Sequence, residues 1–138
     1  MRAFVDTNVL VYLFDGEDEA RQRHARELIA TLVRARSLVV SSQVLGELYV
    51  TVTRKLAVPL PHDAATEAID ALSVFPVIAV DVDLVRRAVT RCRQEPLSYW
   101  DALIVEAAVE AGAATLYTED LQAGQSYRDI TVVDPFAD

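Results

Sequence analysis

Four acidic residues follow or begin apolar segments of the chain, at positions where carboxylates can act together. Asp6 comes directly after the first apolar run in "FVDTN", and Asp120 comes just after "TLYT". Glu47 lies early in the helical segment that follows "LVV", and Asp101 begins "DALIVEAAVEAG". The carboxyl ends of parallel strands meet at one edge of a sheet, where ligands bind. The sequence therefore predicts that the four carboxylates converge on one cleft.

Such a cluster needs compensation for its negative charge. Like charges within about 4–6 Å disfavour each other's ionised forms, and a hard divalent cation is the usual remedy. Mg²⁺ takes carboxylate oxygens and substrate phosphate as ligands. A zinc site is not indicated, because His24, His62 and Cys92 are few and scattered. The predicted ion is Mg²⁺, which would let a protein of net charge −8 attract a phosphodiester.

Each acid also has an ordinary structural interpretation. Asp6 would form a turn, and Asp101 with Ser98 resembles a capping box. Glu47 alone would be an exposed helix residue, and Asp120 alone would be a loop acid. A capping acid can also bind a metal, so the two interpretations of Asp101 are compatible. A shared metal-binding site is favoured over these separate structural roles, because it would be a coincidence for four unrelated acids to meet at one edge of the sheet.

The helix around Asp101 has a face that can be assigned from its spacing. Asp101 lies above Ile104 and Val105 at i+3 and i+4, so it ends an apolar stripe. Glu106 and Glu110 fall on the opposite side, which we expect to face solvent.

Strand and helix patterns alternate along the chain. Short apolar runs predict strands at 3–5, within 37–42, and at 75–80, 114–118 and 130–133. Helical patterns predict helices at 9–14, from about 20 to 36, from the end of 37–42 to about 54, and at 63–72, 84–94 and 98–111. The two hydroxyl residues that end "SLVVSS" are expected to cap the helix that follows them. Asp83 and Ser98 are the expected caps of the last two helices, and Gly112 is the expected stop. The predicted fold is an α/β three-layer sandwich, with a mostly parallel central sheet flanked by helices.

Composition narrows the class of protein. The 138 residues are 52% apolar, which suits a single domain over residues 1–138 with one core. No apolar run approaches the ~18 residues of a membrane span, and Asp6 interrupts any signal-peptide pattern. Cys92 is the only cysteine, as is typical of a reducing compartment. We expect a soluble, cytoplasmic protein that does not bind a membrane.

The segments "FVDTNVLVY", the Glu47 helix, "YWDALIVEAA" and "LYTEDL" together resemble a PIN domain. More closely, they resemble the VapC-type toxin ribonucleases of toxin–antitoxin pairs, over the whole chain. The resemblance implies a catalytic, metal-binding site made of four acids: Asp6, Glu47, Asp101 and Asp120. Three polar residues match positions beside that site: Thr7, Asn8 and Thr118. Glu119 adjoins Asp120 and either could point inward; the "TED" pattern favours Asp120.

The resemblance also implies an activity and partners. It implies Mg²⁺- or Mn²⁺-dependent hydrolysis of RNA by metal-activated water, with one or two ions, a VapB-like antitoxin and a homodimer. Asp6, Glu47 and Asp101 would form the core of the metal site, and Asp120 would hold a second ion or an outer water. The neighbouring Thr and Asn side chains would orient carboxylates or waters, unless they serve only as turn and cap residues.

Other functions compete with a toxin nuclease. A PIN nuclease of RNA maturation, without an antitoxin, fits the same residues, as does a non-catalytic PIN-like binding module. A haloacid-dehalogenase-like phosphatase is disfavoured, because Asn8 stands where a second aspartate is needed and Lys55 is the only lysine. Trp100 could stack on a base, but packing against a neighbouring helix is the preferred interpretation.

Overall fold

The computed structural model describes residues 1–121 and 124–137, and a pair of helices follows each of the first three strands. The helices are α1 (Thr7–Val11), α2 (Glu19–Arg34), α3 (Ser42–Arg54), α4 (His62–Leu72), α5 (Val82–Gln94) and α6 (Tyr99–Glu110). The strands are β1 (Arg2–Val5), β2 (Leu38–Ser41), β3 (Val77–Ile78), β4 (Ala113–Tyr117), β5 (Ser126–Tyr127) and β6 (Ile130–Val133). Across the part of the chain described, no helix has the length and apolar character needed to cross a membrane.

The strands form one sheet in the order β3-β2-β1-β4-β6-β5. All neighbours are parallel except β5 and β6, which are antiparallel. The side chains of β2 are buried throughout, as in a parallel sheet covered by helices. The predicted α/β fold with a mostly parallel, helix-flanked sheet is therefore confirmed, and the single-domain boundary over 1–138 stays a prediction.

Two details of the sheet differ from the sequence prediction. β5 has only Ser126 and Tyr127, so it has no apolar run that could have revealed it. The strand predicted at 75–80 shortens to Val77–Ile78, where it pairs with the end of β2. Pairing at the sheet edge, rather than the length of the apolar run, sets the extent of β3.

Three helix ends are formed by the residues that the sequence indicates, and one is not. The Ser98 hydroxyl caps α6, and Gly112, with φ of +68°, follows its end in the left-handed conformation that glycine tolerates. Ser41, one of the two hydroxyl residues expected to cap α3, does so by accepting from Val44 N at 3.3 Å. The prediction of Asp83 as the cap of α5 is wrong. Asp81 is the cap, because α5 starts at Val82 and the Asp81 carboxylate accepts from Leu84 N at 2.9 Å.

The register of the central strands brings distant residues to one edge. Val5 at the end of β1 pairs with Tyr117 at the end of β4. The amide of Asp6 then donates to the carbonyl of Tyr117 at 3.0 Å, so Asp6 and Thr118 leave the sheet side by side. β2 lies on the other side of β1 and leads directly into α3. The predicted convergence at the carboxyl edge thus follows from the strand order.

The packing of α5 against α6 overturns one expectation. Glu106 is 6% exposed rather than solvated, although it lies away from Asp101 along α6. Its carboxylate accepts from Arg91 Nε at 2.5 Å and lies 3.5 Å from Arg87 Nε. Both arginines come from α5, so the charge of Glu106 is neutralised inside the helix pair. Glu110, 38% exposed, pairs with Arg87 at the surface.

Candidate active site

Asp6 is the buried centre of the site. It caps α1, with its Oδ1 accepting from the amide of Thr7 at 2.7 Å. Its Oδ2 accepts from the hydroxyl of Thr118 at 2.8 Å and lies 3.5 Å from Asn8 Nδ2. These contacts fix the carboxylate in one orientation at the end of β1. The turn interpretation of Asp6 is thus also correct, and it is compatible with a chemical role.

The electrostatics of Asp6 are unusual for an aspartate. Burial raises its pKa to about 7, against the lowering effect of hydrogen bonds from Thr118 and from the amide of Thr7. The charges of Asp120 and Glu47 contribute to this rise in pKa, though less than burial does. Asp6 is therefore a desolvated carboxyl group with other carboxylates nearby and hydrogen bonds as its stabilising contacts.

Glu47 approaches the site from the first half of α3. Its Oε1 accepts from the hydroxyl of Thr7 at 2.8 Å, and its Oε2 lies 3.5 Å from Gln43 Nε2. The side chain of Glu47 is otherwise exposed. Thr7 thereby links α1, which Asp6 caps, to α3, and it keeps two of the predicted acids in a fixed relation.

Asp101 lies in the first turn of α6. Its amide donates to the Ser98 hydroxyl at 3.1 Å, which is half of the predicted capping box. The reciprocal bond from the Ser98 amide to the Asp101 carboxylate does not form among the residues described, so capping does not occupy that carboxylate. Asp101 lies on the wall shared by two neighbouring cavities, one of which contains Asp6.

Asp120 and Glu119 take different directions. The carboxylate of Glu119 accepts from the Tyr12 hydroxyl at 2.9 Å and lies 3.7 Å from Arg21 Nε. Asp120 is exposed, and its amide donates to Thr118 Oγ1 at 3.1 Å. Asp120, rather than Glu119, adds charge repulsion at Asp6. The geometry therefore favours Asp120 as the fourth acid, although Glu119 also borders the cavity.

All four predicted acids line one open cavity of about 600 Å³, within the usual size range of ligand sites. Further carboxylates from Asp15 and Glu119 border it, and Lys55 is its one basic lining residue in the part of the chain that is described. The convergence predicted from the sequence is therefore present. The catalytic and metal-binding roles of these residues stay predictions.

The acids share the cavity without forming a closed metal cage. Within residues 1–121 and 124–137, no three His, Cys, Asp or Glu side chains come close enough to hold a metal ion as they stand. Glu47 is instead drawn to Thr7.

The polar residues predicted beside the acids form one network with them. Thr118 is fully buried and joins Asp6 to the backbone of Asp120. Asn8 donates to Thr118 Oγ1 at 3.2 Å and accepts from the amide of Glu119 at 3.3 Å. These contacts fit the orienting role predicted for Thr118 and Asn8. They also include backbone contacts of the kind expected if the two residues served only as turn and cap residues.

Two features of the cavity were not predicted from the sequence. Gln43 links Glu47 to the carbonyl of Trp100, through Nε2 at 3.5 Å from each. Its position four residues before Glu47 on α3 is a signal that helical spacing offers. Trp100 is 61% exposed and lines the cavity, so the preferred interpretation of a packed side chain is wrong. Its ring contacts Tyr99 edge-on, with 4.9 Å between centroids.

A comparison with protein families identifies the class. The PIN domain family model matches residues 3–125 of the chain, which spans all four acids. The chain belongs to the PIN domain family. No curated protein sequence matches it.

Several solved structures share the fold. A toxin–antitoxin complex from Klebsiella pneumoniae is 23% identical, with a TM-score of 0.73 over 97% of this chain and 98% of that one. VapC20 of Mycobacterium tuberculosis, described as a sarcin–ricin loop cleaving toxin, is 27% identical, with a TM-score of 0.64 over 83% and 86%. DNA-bound VapBC from Salmonella typhimurium is 18% identical, with a TM-score of 0.66 over 98% of each. The predicted resemblance to VapC-type PIN domains is confirmed.

Proposed function

We propose that this PIN domain is a divalent-metal-dependent ribonuclease and the toxin of a VapBC-type pair. One observation carries the proposal: a buried carboxylate, Asp6, shares a cavity with Glu47, Asp101 and Asp120, and no Lys or Arg of the described residues pairs with it. A chain gains no stability from gathering negative charges in this way. The arrangement is understandable if a bound ion completes the site.

The residues fit Mg²⁺ or Mn²⁺ by the chemistry of their donors. The acids supply only carboxylate oxygens, the ligands that hard divalent ions prefer. Gln43 supplies a second indication, because its Oε1 is buried without a hydrogen-bond partner among the residues described. Hydrated Mg²⁺ keeps several waters, each of which donates hydrogen bonds. An orphan acceptor beside Glu47 suits such a water.

Each residue then has a defined task. Asp6, Glu47 and Asp101 would hold the ion, and Asp120 would hold a second ion or a water in its outer shell. A bound divalent ion lowers the pKa of its water and stabilises charge on a phosphodiester during hydrolysis. Thr118 and Thr7 orient Asp6 and Glu47 through hydrogen bonds of 2.8 Å each, which keeps carboxylate oxygens directed into the cavity.

RNA and a VapB-like antitoxin are the proposed substrate and partner. VapC20, 27% identical to this chain, is described as cleaving the sarcin–ricin loop, an RNA element. The Klebsiella and Salmonella structures with the same fold are toxin–antitoxin assemblies. We include a homodimer in the proposal, as the sequence resemblance implies.

The test is cleavage of single-stranded and structured RNA by the purified chain, with Mg²⁺, with Mn²⁺ and with EDTA. The proposal expects hydrolysis only with a divalent ion, and growth arrest when the chain is expressed without its antitoxin. Cleavage without growth arrest would favour an RNA-maturation nuclease. Absence of both cleavage and metal-induced thermal stabilisation would favour a non-catalytic binding module.

A further inference from the structure

Trp100 has an exposure that its packing does not explain. Its side chain is 61% exposed, which is high for a residue type that is largely buried on average. The exposed ring lies in the wall of the acidic cavity rather than on an unrelated surface. An apolar ring kept beside carboxylates points to a ligand with both a flat apolar face and a charged group.

One contact positions the ring of Trp100, and another positions its backbone. Tyr99 meets it edge-on at 75° between the ring planes, a favourable aromatic geometry. The Gln43 amide lies 3.5 Å from the Trp100 carbonyl and ties this turn of α6 to α3. Trp100 therefore presents a face in a defined position, which lowers the entropy cost of stacking.

The position of the ring relates it to the proposed chemistry. Trp100 directly precedes Asp101, and both residues line the cavity that contains Asp6. A phosphodiester held at the acids would place its attached nucleosides next to this ring. A nucleobase is thus the flat group that comes within reach when RNA occupies the cavity.

The charge of the cavity explains why stacking would be needed. Its lining carries six carboxylates and one lysine: Asp6, Asp15, Glu47, Asp101, Glu119, Asp120 and Lys55. Without a bound cation, this lining would repel a phosphate backbone. Stacking on an aromatic ring does not depend on charge, and every base has a face to offer.

We propose that Trp100 stacks on a nucleobase adjacent to the scissile phosphate and so supplies binding energy for single-stranded RNA. The inference rests on the proposed ribonuclease function and deepens it. It makes Trp100 a substrate-binding residue that tolerates different bases. A protein partner that covers the ring is the competing occupant, and adjacency to Asp101 favours the base.

The kinetic test compares substitutions of one residue. Trp100→Ala should raise KM for an RNA substrate about 5- to 150-fold at little change in kcat, the loss expected for one stacked base. Trp100→Phe should keep most of the affinity, whereas Trp100→Leu, apolar but without a ring, should not. Val74→Ala removes an exposed apolar side chain that does not line this cavity and should leave KM unchanged.

Fluorescence gives a direct second measurement, because Trp100 is the only tryptophan. With Mg²⁺ present, an RNA oligonucleotide with non-hydrolysable internucleotide linkages should quench its emission, and an abasic oligomer with the same linkages should not. If the wild-type chain cleaves RNA but Trp100→Ala keeps its KM and RNA leaves the emission unchanged, the stacking proposal is overturned and the ring is left for a protein partner. If the wild-type chain fails to cleave RNA with Mg²⁺ or Mn²⁺, the proposed function fails, and stacking fails with it.

Discussion

Two regions of the molecule bury a carboxylate to the same extent and treat it in opposite ways. Asp6 and Glu106 are both 6% exposed. Glu106 lies between α5 and α6 with Arg91 and Arg87 against it. Asp6 lies at the sheet edge with Thr118 and the amide of Thr7 as its closest donors, and its pKa rises to about 7.

The difference separates structural from functional placement of charge. A buried carboxylate needs a counter-charge, and at Glu106 the chain supplies one itself. At Asp6 the neighbouring charges are Glu47 and Asp120, which make ionisation harder. The first arrangement is complete within the protein. The second has no counter-charge among the residues described, and our proposal of a bound cation would supply one.

The largest expected effect comes from removing the uncompensated charge. Asp6→Asn should lower metal-dependent RNA cleavage about 10³-fold or more, because a metal ion contributes several kcal/mol to stabilising the transition state. Initial rates with Mg²⁺ in excess measure this. Asp70→Asn makes the same change on the exposed surface of α4 and should keep wild-type activity. Equal activity of Asp6→Asn and Asp70→Asn would remove Asp6 from the site.

Substitution of Glu106 should lower the stability of the protein without changing its RNA cleavage. Among the residues described, Glu106→Gln leaves the largely buried Arg91 with one carboxylate partner, Glu95. We expect a loss of about 2–3 kcal/mol in the free energy of unfolding, measured with urea, since breaking a buried pair strands a charge.

Glu110→Gln is the matched control, because it removes a surface partner of Arg87. Its effect should stay within about 0.5 kcal/mol. Similar losses for the two variants would contradict the view that burial gives Glu106 its importance.

The pH dependence of stability should distinguish the two carboxylates. The pKa of Asp6 rises from 3.8 to about 7 on folding, so the native state binds more protons than the unfolded state between those values. Without metal, its contribution to stability therefore falls as the pH rises from about 4 to about 7.

Asp6→Asn removes the titrating carboxyl group and keeps a good N-cap for α1. In EDTA at pH 8 the variant should be more stable than the wild type by about 1–3 kcal/mol, and the advantage should disappear near pH 4. Urea titrations at several pH values measure it. A constant difference across that range would show that Asp6 does not titrate as described.

A smaller effect should settle the choice between two adjacent acids. Asp120→Asn should weaken Mn²⁺ binding about tenfold, as expected for a ligand of a second ion or an outer water. Glu119→Gln should leave Mn²⁺ affinity unchanged, because its carboxylate is held by Tyr12 and Arg21. Isothermal titration calorimetry compares the two. The reverse order of affinities would move the fourth acid to Glu119.

The sheet and its acidic edge could be predicted because their signals are local. Buried parallel strands are continuous apolar runs, and an acid that ends such a run must lie at the carboxyl edge. Asp6 and Thr118 are neighbours for this reason. Strand β5 could not be predicted, since two residues carry no periodic pattern and only pairing with β6 defines it.

Helix α6 shows where periodicity fails. Its residues from Ala102 to Ala108 are all buried, so the helix has no continuous wet face from which to infer orientation. Glu106 was therefore expected in solvent, and Trp100 was expected to pack. The arginines of α5 decide the position of Glu106, and the open cavity decides that of Trp100. Both depend on tertiary packing, which the residue spacing along α6 does not reveal.

The most direct test is a crystal of the protein soaked in Mn²⁺ and measured by anomalous diffraction. The account predicts a peak inside the cavity, bonded to a carboxylate oxygen of Asp6 and to at least one of Glu47, Asp101 and Asp120. It also predicts that the side chains draw together relative to their metal-free positions. A fully soaked crystal with no peak among these acids, or with Mn²⁺ bound only elsewhere, would contradict it.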